Sequence, residues 1–142
     1  MNDTCAAIAG AVTFVWLGMV LAISFLEAPL KFRAPGVTVT VGLGIGRLVF
    51  RALNAVEAVL AAVVLVTVAV GGAPAGIVAP TAAVAALLAV QLAVVRPVLN
   101  RRSDRVLAGE DLPRSRSHLW YVALEVLKTI ALVILGIALS AA

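Results

Sequence analysis

Only one cysteine, Cys5, and one histidine, His118, occur in the 142 residues. A single thiol excludes an intrachain disulfide and any cysteine-based metal cluster, and Cys5 reads as a small apolar residue near a helix end. Charge is scarce too. Charged residues make up 13% of the chain and only 7 are acidic, well below the balance of a water-soluble domain. Aromatics, at 5%, are too few to interleave with the basic residues as a nucleic-acid surface requires. The pI of about 10.2 therefore points to anionic lipid headgroups as partners and not to nucleic acid. No HExxH, GxSxG or Walker loop is present, and Gly42, Gly44 and Gly46 lack the spacing of a dinucleotide fingerprint. No known hydrolase mechanism is supported, and neither a cofactor nor a metal is expected.

What the chain has in abundance is apolar surface: 63% of residues are hydrophobic and the mean hydropathy is +1.15. That composition, with a single short chain, predicts one all-α domain, an antiparallel bundle of four transmembrane helices. Ala6 to Leu26 carries no charge, and no cation precedes it, so it reads as a retained first helix and not as a cleaved leader. Ala58 to Val95 is charge-free and too long for one span, and Gly71-Gly72-Ala73-Pro74-Ala75-Gly76 breaks it. The expected helices are therefore 6–27, 46–70, 79–99 and 118–140, joined by loops 28–45 and 100–117. Residues 36–46, with their Val-Thr alternation and glycines, are compatible with a β-like lead-in, a juxtamembrane helix or an extension of helix two. Trp120 and Tyr121 fall where an interfacial aromatic belt belongs.

All but one of the 11 Lys and Arg residues lie within Lys31–Arg51 and Arg96–Arg116. The positive-inside rule then places both basic loops in the cytoplasm of a cell (inner) membrane protein and both termini outside. Arg101, Arg102, Arg105, Arg114 and Arg116 are topology determinants by this reading and meet lipid headgroups.

The polar residues inside the spans are the informative ones. His118, Tyr121, Glu125 and Lys128 are three, four and three apart, one stripe of helix four. Arg47, Arg51 and Asn54 form a stripe on helix two that Glu57 continues with a lateral step. Helix three contributes Gln91, and helix one Ser24 and Glu27. At ~1.5 Å per residue, Glu125 and Gln91 lie roughly 10 Å and Glu57 and Lys128 roughly 15 Å from the basic end. A central Glu or Lys costs about 2.5 to 3.5 kcal/mol on insertion, whereas each Leu, Ile or Val returns about 0.3 to 0.6 kcal/mol. The charges must therefore be compensated. Glu125 with Lys128, Lys128 with Glu57 and Glu125 with Arg51 are the available pairs. Glu27, Glu57 and Glu125 would together suit a divalent cation, but Lys128 among them argues against one.

At an offset of 68, Pro29 meets Pro97, Arg33 meets Arg101 and Glu57 meets Glu125. Further matches, such as Ala7, Ala11, Thr13 and Ala55, are near chance in so alanine-rich a chain.

Glu27-Ala28-Pro29-Leu30-Lys31-Phe32, followed by Gly46-Arg47-Leu48-Val49-Phe50, resembles the small four-helix membrane family of unknown function that includes transmembrane protein 205. The resemblance covers the first third of the chain. It implies a four-helix membrane domain, and Lys31, Arg47 and Glu57 go beyond the family pattern.

Two functions from different classes fit the polar cluster. One is a carrier or permeation unit for a small solute or ion, with Glu57, Glu125 and Lys128 as coupling groups and Asn54, Gln91, Glu27, Arg51 and His118 as further ligand-binding candidates. The other is a non-catalytic accessory or scaffold subunit of a larger membrane complex. Beyond lipids, the expected partner is a second copy of the chain or a membrane-complex subunit. Acid and base groups without a nucleophile or cofactor motif make an intramembrane enzyme the weakest fit.

Overall fold

A computed structural model describes residues 1–112 and 116–142. It contains four helices long and apolar enough to cross a bilayer: α1 (Asp3–Arg33), α2 (Val39–Val70), α3 (Ala75–Leu107) and α4 (Arg116–Ser140). Among the described residues there is no strand. The chain is thus an all-α, four-helix, multi-pass membrane protein.

Several helix ends have a local cause. The Asn2 side chain caps α1 by accepting from the N–H groups of Thr4 and Cys5, at 2.9 and 3.3 Å. Thr38 caps α2 by accepting from Val41 N–H at 3.2 Å. Between α2 and α3 the chain reverses through Gly72, whose φ of +67° suits glycine alone. Pro74 then sets the entry to α3. The Asn2 N–H donates to the Gly71 carbonyl at 3.0 Å, tying the start of α1 to that turn.

Two expected loops are shorter than the hydropathy pattern implies. Residues 28–45 were expected as loop, but α1 runs on to Arg33 and α2 begins at Val39. The 36–46 segment is therefore an extension of helix two from Val39. Residues 100–117 were expected as loop too, yet α3 continues to Leu107. Hydropathy reports where lipid ends; Arg101, Arg102 and Arg105 are competent helix formers, so the backbone stays helical beyond that point.

Proline leaves the same mark twice. Pro29 and Pro97 lack an N–H, and in a regular α-helix each ring would clash with the carbonyl four residues back. Both helices respond by widening into a π turn, Leu21–Glu27 in α1 and Gln91–Val95 in α3. The Ala28 N–H donates to the Ile23 carbonyl and the Arg96 N–H to the Gln91 carbonyl. These bonds are 68 residues apart at both ends (96 − 28 and 91 − 23), the offset that relates Glu57 to Glu125.

The interior is layered along the bundle. Nearest the α2–α3 turn, Ala9, Val64, Val68, Ile77, Leu135 and Leu139 pack together. The next layer is Trp16, Val20, Ala61, Val84, Leu88, Ala131 and Leu132. Alanines on three of the four helices let backbones approach closely, as membrane bundles require. Leu48, Val59, Val66, Val70, Leu119 and Ile137 point outward and are exposed, the surface that hydrocarbon would solvate. Above the second apolar layer, toward the basic end, the interior turns polar.

Candidate functional site

Four buried polar side chains, one from α2, one from α3 and two from α4, meet in this layer. Lys128 (0% exposed) lies between Glu57 (1%) and Glu125 (2%). Its Nζ is 2.5 Å from Glu57 Oε1, 3.1 Å from Glu125 Oε2 and 2.9 Å from Gln91 Oε1. The ammonium donates hydrogen bonds to Glu57 and Gln91 and forms an ion pair with Glu125. Gln91 Nε2 donates to Glu125 Oε2 at 2.5 Å. From α1, Ser24 Oγ donates to Glu125 Oε1 and Trp16 Nε1 to Glu57 Oε1, both at 2.8 Å. Both Glu125 oxygens are used, whereas Glu57 Oε2 is buried without a hydrogen-bond partner among the described residues.

Helical phase explains the convergence. Glu57 shares the inward face of α2 with Leu53, Ala61, Val64 and Val68. Glu125 and Lys128 share the inward face of α4 with Tyr121, Leu132, Leu135 and Leu139.

A cavity of about 520 Å³ opens on the basic side of this cluster, a volume typical of small-molecule sites. All four helices line it, with Ser24 and Glu125 bordering both cavity and cluster. Glu57 and Lys128 are not on its wall. Arg96 lies between two rings, its Cζ 4.7 Å from the Phe50 centroid and 4.8 Å from that of Tyr121. Lys31 Nζ is 5.7 Å from the same Phe50 ring and 3.6 Å from Glu27 Oε2. Gly42 and Gly46 bring α2 close to α1 here. A Cβ at Gly42 would overlap the Phe32 ring, and one at Gly46 would sit 2.9 Å from Lys31 Nζ.

The expected site residues divide accordingly. Glu57, Glu125, Lys128 and Gln91 meet, and the pairs Lys128–Glu57 and Lys128–Glu125 are present. The Glu125–Arg51 pair is not: Arg51 is exposed, because two residues before buried Leu53 is more than half a turn away around α2. Asn54 is half-buried and takes no part in the cluster's hydrogen bonds. Glu27 pairs with Lys31 and not with the cluster. His118 is exposed and borders the cavity mouth. Tyr121, expected both in an aromatic belt and on the stripe with Glu125 and Lys128, is 6% exposed and faces inward with that stripe, while Trp120 faces outward.

Of the basic residues expected at headgroups, Arg101 and Arg116 are exposed and Arg102 is half-buried. Arg105 Nε pairs with Glu110 at 2.7 Å, and Arg114 lies outside the described residues. Arg47 pairs with Asp104.

Sequence reasoning passed over Trp16, Arg96 and Phe50. The signal for Trp16 was its position deep in an apolar span, where an indole N–H needs an acceptor. Among the described residues no three His, Cys, Asp or Glu side chains group as a metal site. Comparison with protein families, with curated proteins and with solved structures gives no match.

Proposed function

We propose that the chain is a small membrane carrier or permeation unit whose solute enters from the basic end. The observation that supports this most is the contact between the 520 Å³ cavity and the buried charges through Glu125 and Ser24. A charge network serving only to lock helix register has no need of a chamber beside it. In this reading Glu125 is the member of the triad that a solute meets first, and Glu57 and Lys128 respond through their shared bonds. The cation distribution favours a cytoplasmic basic end.

The test replaces the triad as a set, with Glu57→Leu, Glu125→Leu and Lys128→Met combined. Apolar replacement of a buried ion network is often neutral or stabilising, and each helix sheds an insertion cost of about 2.5 to 3.5 kcal/mol per charge. The variant should insert and fold. A carrier should then lose the cellular phenotype of the intact gene. Full complementation by a well-folded triple variant would make the triad structural and the chain an accessory subunit.

A further inference from the structure

Arg96 is a cation without an anion. Among the described residues no carboxylate lies within ion-pair distance of its guanidinium, and its Nε and Nη2 are buried with no hydrogen-bond partner. The Tyr121 hydroxyl beside it is likewise buried and unpartnered. The other cations on the cavity wall are answered, Lys31 by Glu27 and Arg47 by Asp104. Unpaired donors of this kind, next to a chamber walled by Phe25, Leu43, Leu99 and Val122, match one ligand chemistry. It is an anionic head that a guanidinium can grip on an apolar body.

Charge arithmetic adds a second partner. Glu57 and Glu125 against Lys128 leave one formal negative charge, and half-buried Arg96 on the cavity wall brings the local sum to zero. An anion drawn onto Arg96 removes that compensation, and an uncompensated charge on the buried Glu57–Lys128–Glu125 group is costly. A proton entering with the anion restores neutrality. The groups around Glu125 that bear on it are Ser24 from α1, Glu57 from α2 through Lys128, Gln91 and Arg96 from α3, and Lys128, Tyr121 and His118 on α4. Lys31 and Arg47 also line the cavity. Among these groups the two carboxylates combine burial with an acidic proton site, and Glu57 Oε2 has no hydrogen-bond partner among the described residues.

We infer that the cavity binds a small organic monoanion with an apolar body, held by Arg96, and takes up one proton onto the Glu57–Glu125 pair with it. The transport consequence, symport of anion and proton, rests on the carrier reading; the binding site does not.

The experiment is calorimetric titration of the purified full chain in nonionic detergent with benzoate, in two buffers of different ionisation enthalpy. Saturable binding with uptake of about one proton per anion is expected. Benzyl alcohol, the uncharged counterpart, should bind at least about tenfold more weakly, and Arg96→Gln should cost benzoate a similar factor. A Glu57→Gln, Glu125→Gln double variant should bind without proton uptake.

No saturable benzoate binding, or equal binding of benzyl alcohol, overturns the site with no variant needed. Proton uptake abolished by His118→Gln, or absent from the native chain, overturns the coupling. Repeating the titration in micelles doped with phosphatidylglycerol separates two sources of the anion. Competition identifies a lipid headgroup, and its absence a soluble solute. Benzoate binding without flux into sealed vesicles would sink the carrier reading and leave the site standing. Flux of another solute without benzoate binding would do the reverse.

Discussion

Lys128 Nζ and Glu57 Oε1 lie 2.5 Å apart across 71 residues of sequence, and neither side chain touches solvent. The same ammonium holds Glu125 at 3.1 Å, so one cation serves two carboxylates on different helices. Removing it strands both. Lys128→Met should therefore destabilise the bundle by about 3 to 5 kcal/mol, read as a fall in the thermal unfolding midpoint in detergent. A double-mutant cycle with Glu57→Gln should show strong coupling, since the second change removes a charge that the first left uncompensated. Additive effects would take the pair out of the account.

Trp16 contributes both packing and a donor. Trp16→Phe keeps most of the ring but leaves Glu57 Oε1 with Lys128 alone, and a bond to a charged group is worth about 1.5 to 3 kcal/mol. A loss of that order is expected in chemical denaturation, and it should largely vanish in a Glu57→Leu background.

At the α2–α3 turn, a Cβ on Gly71 would lie 2.7 Å from the Thr67 carbonyl oxygen and 2.8 Å from Cys5 Cβ. A backbone carbonyl cannot swing aside as a side chain does. Gly71→Ala should cost about 1 to 3 kcal/mol and loosen the Asn2 tie. Hydrogen exchange at the start of α1 is the sensitive readout, and unchanged protection there would refute the clash.

Orientation is open to labelling in intact cells on a Cys5→Ala background. Ala75→Cys is preferred to a change at Gly72, whose positive φ resists substitution. With the basic end inside, Ala75→Cys reacts with an impermeant thiol reagent and Ala108→Cys does so only after permeabilisation. The reverse pattern would invert the chain.

Much of this was legible in the residues. Four spans follow from charge-free stretches, and the triad follows because unpaired charges in lipid demand partners. The helix ends were not legible, since polar residues at 100–107 stop the hydropathy pattern without stopping the helix. Nor was the choice of partner for Glu125. By simple periodicity Arg51 sits on the stripe that Glu57 continues, but the inward face is fixed by Leu53 and Glu57, and the two-residue step between Arg51 and Leu53 turns its side chain by about 200°. Arg96 was hidden for another reason. A cation at the edge of a span reads as a topology marker, and only the packing of Phe50 and Tyr121 around it removes its access to a carboxylate.

Because Lys128 belongs to the last of the four helices, the order of synthesis leaves a debt. When α1 to α3 have entered the bilayer, Trp16, Glu57 and Gln91 are in place, and the ammonium that neutralises Glu57 has yet to emerge from the ribosome. Until α4 arrives, the nascent chain carries a carboxylate in lipid with an indole as its nearest donor. Arrival of α4 is then the event that makes the whole chain a stable resident of the membrane, and a chain cut before residue 116 should be recognised as unfinished and degraded.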